Sequence, residues 1–95
     1  MSFEVFTYLA RSYFHQDFDL VADTPEGVVA EFRRREDPDT VELLRREVDL
    51  LLASQSAEEV VRDLWMVQGG ASYDPQFHGV RYTQWLERMR AILHE

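Results

Sequence analysis

No cysteine occurs among the 95 residues, which removes disulfide staples, thiolate catalysis and any zinc site built on sulfur. Lysine is missing as well: all ten basic side chains are arginine, set against 18 acids, for a net charge of −8. A surface this short of positive charge repels phosphate backbones, so direct nucleic-acid binding is disfavoured and basic protein partners are favoured; solubility alone would account for the same balance. No window approaches the roughly 20 apolar residues that a membrane helix needs. The opening MSFEVFTYLARSYF also lacks the basic start and unbroken apolar run of a secretory leader. These absences together point to a cytoplasmic chain with no membrane partner.

What is present suffices for one core. A chain of this length buries roughly 60 to 70 % of its unfolded surface, enough for a single domain over residues 1–95. Phe, Tyr and Trp make up 13 % of it, so folding does not fail for want of apolar material.

The apolar residues recur at helical spacing. Phe3, Phe6, Leu9 and Tyr13 predict a first helix over about 3–13. Thr24, Pro25 and Glu26 are a helix start, a cap followed by a residue whose missing N–H costs nothing there, with Val28, Val29 and Phe32 as its inner stripe. Arg33, Arg34 and Arg35 complement that helix's negative end, and a break falls near Pro38. Val41, Leu44, Val48, Leu51 and Leu52 predict a helix over about 39–53, with Glu42 and Arg46 paired on its solvated face. Ser56 with Glu59 matches a capping box ahead of Val60, Val61, Leu64 and Trp65, and that helix should end at Gly69-Gly70. Residues 71–80, with Tyr73-Asp74-Pro75 and His78-Gly79, read as an ordered loop. Thr83 then caps a last helix bearing Trp85, Leu86, Met89, Ile92 and Leu93. The expected fold is therefore all-α, a bundle of about five helices, with both tryptophans in its core.

The stretch YFHQDFD, residues 13–19, carries the densest candidate chemistry. In an extended segment His15, Asp17 and Asp19 point to one side and could offer a nitrogen and two carboxylates to a divalent metal, which opens the reading of a small metal-dependent enzyme. The opposing reading has Tyr13, Phe14 and Phe18 anchoring a turn in the core while Asp17 or Asp19 accepts backbone N–H groups. Further ligands are hard to find, since the other histidines are His78 in the loop and His94 at the chain's end. Ser12, Ser54, Ser56 and Ser72 lie in no nucleophile-elbow pattern, and Gly69-Gly70 lacks the spacing and lysine of a phosphate loop. Neither metal nor cofactor is expected on the balance of these residues. A second pattern is the run of acids Asp17, Asp19, Asp23 and Glu26 with no intervening base, a negative patch able to steer a basic partner. Tyr73, in the loop, is the aromatic residue best placed to join such an interface.

Residues 13–20, YFHQDFDL, resemble the opening signature of small immunity proteins of bacterial contact-dependent growth inhibition systems, the CdiI type, whose turn looks like YFHQDWD. Looser likeness continues through the Leu-rich middle helix to Tyr73-Asp74-Pro75 and to Tyr82, Trp85 and Leu86. Phe18 departs from the family's common Trp, and Gly70-Ala71-Ser72 stands where a bulkier stretch is usual. The resemblance implies a non-enzymatic antidote that binds the toxic C-terminal domain of a CdiA-like effector, in some cases a basic nuclease, and protects the producing cell. When free, the chain is expected to be a monomer or weak dimer. Tyr13, Phe14, His15, Gln16 and Phe18 would then be framework, and Asp17, Asp19, Asp23, Glu26, Tyr73 and Asp74 the toxin-facing residues. A generic helical adaptor is the other reading that the same sequence admits.

Overall fold

A computed structural model describes residues 3–55 and 58–94, and among them there are helices and no strand. Helix α1 spans Glu4–Tyr13, α2 Pro25–Arg35, α3 Pro38–Ala53, α4 begins at Glu58–Arg62, and α5 spans Tyr82–Leu93. The start predicted at Thr24 is in place, and at the expected break α3 begins with Pro38 itself: Thr24 Oγ1 accepts the Gly27 N–H at 3.0 Å, and Asp37 Oδ1 accepts that of Thr40 at 2.9 Å. Each cap is followed by a proline at the first helical position. The capping box at Ser56 lies outside the described residues.

Two acids close helix ends across the fold, which local pattern does not reveal. Glu47 of α3, 7 % exposed, accepts the N–H groups of Val5 and Phe6 at 3.2 and 2.8 Å and so caps α1 from outside. Glu58 of α4 does the same for α5, accepting Tyr82 N–H at 2.7 Å and Thr83 N–H at 3.0 Å, with the Thr83 hydroxyl as a further donor. Thr83 is thus inside α5, which begins two residues earlier than a cap at Thr83 would place it, and the partner of its N–H groups comes from α4. The reason is physical: a free helix N-terminus leaves N–H groups without partners, and an ionised carboxylate satisfies two of them at once.

Helix α4 widens into a π segment over Asp63–Gln68, where Gly69 N–H reaches back to Leu64 C=O at 2.9 Å. This wide turn places Trp65 in the core and brings Gly69 so near α1 that a Cβ there would lie 2.5 Å from Ala10 Cβ. Gly70, at φ +66°, then ends the element as the sequence predicted. Val60, expected on the inner face, is 51 % exposed; Val61, Leu64 and Trp65 turn inward without it.

An aromatic cluster occupies the centre. Phe14, fully buried at the end of α1, meets Trp65 at 4.9 Å, Trp85 at 5.6 Å, Phe18 at 5.8 Å and Tyr73 at 5.9 Å between ring centroids. Trp65 Nε1 donates to Tyr73 C=O at 2.8 Å, and Phe14 C=O accepts the Ser72 N–H at 2.6 Å. These two bonds hold the 71–80 connection against the α1 exit.

Candidate functional site

The YFHQDFD turn is not extended. After Phe14 the chain folds into a single 3₁₀ turn, Phe18–Leu20, closed by Leu20 N–H to Asp17 C=O and Val21 N–H to Phe18 C=O. That geometry separates the residues of the supposed metal site, since the alternation that aligned 15, 17 and 19 holds only in a strand. His15 is the local acceptor: its Nδ1 takes the Asp17 N–H at 3.1 Å, a role expected of Asp17 or Asp19. Among the described residues no group of three or more His, Asp or Glu side chains is placed to hold a cation. Phe18 is half-buried and rests on Phe14 and Tyr73, while Gln16, Asp17, Asp19 and Leu20 face solvent.

Tyr73 and Asp74 are placed otherwise than the sequence suggested. The Tyr73 ring is 5 % exposed, stacked on His78 at 5.4 Å and set edge-on to Trp85 at 5.4 Å, so it belongs to the core. Apolar area next to Phe14 and Trp85 was available to bury it, and the two bonds through Ser72 and Trp65 draw its backbone inward. Burial first, then the charge of Glu26, push its phenol above the ordinary value, with Arg88 pulling the other way. Asp74 turns to structural work: it caps the second 3₁₀ turn, Pro75–His78, by accepting Gln76 N–H at 3.0 Å, and also accepts the Tyr82 hydroxyl at 2.9 Å. Burial and that bond to Asp74 push the Tyr82 phenol far up.

The two 3₁₀ turns, the start of α2 and one face of α5 enclose a recess of about 530 Å³ lined by Phe18, Pro25, Glu26, Tyr73, His78, Val80 and Arg88. Phe18, Glu26 and Tyr73, singled out separately in the sequence, meet here. Arg88 Nη1 lies 3.2 Å from Glu26 Oε1 across the rim. Asp17, Asp19 and Asp23, exposed on the adjoining chain, make no ion pair among the described residues. Sequence reasoning missed Arg88, His78, Leu20 and Phe77. Leu20 and Phe77, at 82 % and 86 % the most exposed large hydrophobic residues among those described, stand on the two 3₁₀ turns that wall the recess. Only the turn-forming Asp74-Pro75 and His78-Gly79 pairs hinted that this segment folds back on the first turn.

A second recess, about 600 Å³, lies between α1 and α4 and includes Glu4, Glu59, Val60 and Asp63. It is the larger of the two, but no residue of the YFHQDFD turn reaches it.

A helical framework with a closed aromatic core, carrying acids and bare apolar side chains on short exposed turns, has the make-up of a protein-binding module. Comparison identifies which one: the family model described as CdiI immunity protein matches residues 2–93, and the chain belongs to that family. Its function is immunity and it is not an enzyme, which removes the metal-dependent reading of His15, Asp17 and Asp19. A chain in the crystal structure of a CdiA-CT/CdiI complex from Y. kristensenii 33638 has the same fold, with a TM-score of 0.84 at 22 % identity, covering 96 % of this chain and 97 % of that one. No curated protein matches the sequence significantly.

Proposed function

We propose that this chain, acting as a single domain over residues 1–95 in the cytoplasm, binds the C-terminal toxin domain of a CdiA-like effector through the surface around its YFHQDFDL turn. The family match carries the toxin as partner. The surface rests on one observation: Asp17, Asp19 and Asp23 are exposed, without ion-pair partners among the described residues, beside Leu20 and a recess with Glu26 on its rim. Tyr73 forms the floor of that recess and Asp74 secures its wall, so both serve contact from behind. The signature residues Tyr13, Phe14, His15, Gln16 and Phe18 set the turn's shape, as in the YFHQD[WF]D type. A net charge of −8 suits a basic toxin such as a nuclease, whose substrate cleft the acids would enter. A radius of gyration of 11.9 Å, against about 12 Å for a compact domain of this length, supports one domain. Free, the protein is a monomer or weak dimer.

The test is calorimetric titration into the C-terminal toxin domain of a CdiA-like effector from the same cell, followed by rapid-mixing kinetics at several salt concentrations. One-to-one binding with a Kd near nanomolar, about −12 kcal/mol, is expected. Changing Asp17, Asp19 and Asp23 to Asn and Glu26 to Gln should slow association by about tenfold and flatten its salt dependence. Changing Glu59 to Gln and Asp63 to Asn, on the other recess, should do neither. The reverse pattern would move the contact surface to the α1–α4 side.

A further inference from the structure

Among the surface features near the turn, the recess itself has a composition that selects its occupant. Its walls are ring faces and apolar edges, Phe18, Tyr73, His78, Val80 and Pro25, and its rim holds one carboxylate, Glu26, already held by one guanidinium, Arg88, at 3.2 Å. An arginine or lysine side chain has the matching parts: an aliphatic stem that packs on apolar surface and a cationic head that favours both aromatic faces and a carboxylate. The approach to the recess adds Asp17, Asp19 and Asp23, all exposed. Leu20 and Phe77 stand on its walling turns and would exclude water from a seated side chain, as the rim of a binding hot spot does.

Resting on the toxin-binding reading above, we infer that this recess is the socket for a single arginine or lysine side chain of the toxin, and that Arg88 is a placeholder the incoming cation displaces from Glu26. In the free protein Arg88 neutralises Glu26 and occupies the mouth of the recess. In the complex the partner's cation takes the carboxylate, and Arg88 swings to solvent. The Arg88–Glu26 pair is half-exposed on both sides, so breaking it is cheap enough for the exchange.

The exchange makes opposite predictions for the two members of one ion pair. Glu26→Gln should weaken toxin binding by about 30-fold or more, through faster dissociation, because the seated cation loses its carboxylate. Arg88→Gln should tighten binding by up to about fivefold, the factor that an exposed ion pair represents. The probe is the C-terminal toxin domain of the cell's own CdiA-like effector, with dissociation rates read by surface plasmon resonance and folding checked by circular dichroism. Double-mutant cycles pairing Glu26→Gln with each of the toxin's arginines and lysines should find one residue whose substitution weakens binding to the unaltered protein strongly but to Glu26→Gln little. Weaker binding by Arg88→Gln overturns the placeholder role, and unchanged binding by both variants overturns the socket, in each case leaving toxin binding standing. If the unaltered protein does not bind the toxin domain at all, the toxin-binding reading fails and the socket falls with it.

Discussion

Replacing Glu58 by Ala removes the acceptor that joins the start of α4 to the start of α5. Its carboxylate takes the Tyr82 N–H at 2.7 Å, the Thr83 N–H at 3.0 Å, the Thr83 hydroxyl and, at 3.3 Å, the Gln76 amide. Hydrogen bonds to a charged acceptor contribute about 1.5–3 kcal/mol each when enclosed, and an N-cap contributes about 1 kcal/mol. The site is half-buried, so water replaces part of what is lost, and Gln84 still accepts the Arg81 N–H at 3.0 Å. The expected loss is therefore about 2–3 kcal/mol, a fall in Tm of about 10–20 °C for a domain of this size. The pH dependence has a definite sign. Partial burial pushes the Glu58 carboxyl up, but the bonds from Thr83 and Tyr82 outweigh it and hold the group below its ordinary 4.5. Its stabilisation is thus fully present above 4.5 and fades as the pH falls through the depressed value. Urea melts followed by circular dichroism at pH 7 and at steps below pH 4.5 should show the unaltered protein and Glu58→Ala converging in stability as acid is added. A gap below about 0.5 kcal/mol at pH 7, or one that does not shrink in acid, would refute the capping account.

Gly69→Ala should destabilise by about 1–3 kcal/mol, because the new methyl group meets Ala10 Cβ at 2.5 Å and Trp65 C=O at 2.7 Å, and a denaturant midpoint measures it. Phe14→Ala removes the ring shared by Trp65, Trp85, Phe18 and Tyr73 and should lower stability by about 3–5 kcal/mol in the same assay. Leu20→Ser and Phe77→Ser should leave Tm within about 2 °C while weakening toxin binding by about tenfold each; a stability loss without a binding loss would make them packing residues.

The helices were legible because their apolar residues repeat with the helical period, and α3 reads almost position by position: Val41, Leu44, Val48 and Leu51 are all buried. The same logic fails where a partner lies far along the chain. Nothing local distinguishes Glu47 from the exposed Glu42, yet one caps α1 and the other pairs with arginines on the surface. Thr83 looked like a cap because Thr often is one; Glu58, 25 residues away, took that role. Val60 was misassigned because Val61 and Trp65, four residues apart, define the inner face, and Val60 stands about 100° round the helix from Val61. At the site, Asp17, Asp19 and Asp23 are exposed while Glu26 and Asp74 are half-buried, a division the sequence does not reveal, and Tyr73 was misread because a loop residue was assumed to lie outside. Burial of a loop aromatic depends on which rings it meets, and Phe14 and Trp85 come from the two ends of the chain.

The turn's construction bears on how such a protein could discriminate between toxins. Within seven residues the chain sends Phe14 and Phe18 inward and Asp17, Asp19 and Leu20 outward, and His15 Nδ1 on the Asp17 N–H fixes the point at which direction changes. Phe14 is tied to both tryptophans and to the 71–80 connection, and Phe18 rests on Phe14 and Tyr73, so only another large aromatic ring fits either position without disturbing the core. The outward ones touch little of the fold, and exchanging them costs about 0.5 kcal/mol or less. Specificity is a difference between affinities, most easily altered where substitutions do not unfold the protein. Asp17, Asp19, Leu20 and Asp23 meet that condition and Tyr73 does not. If the toxin seats on this turn, as proposed, a change of partner is written first into its exposed side chains, with the aromatic floor beneath them held constant.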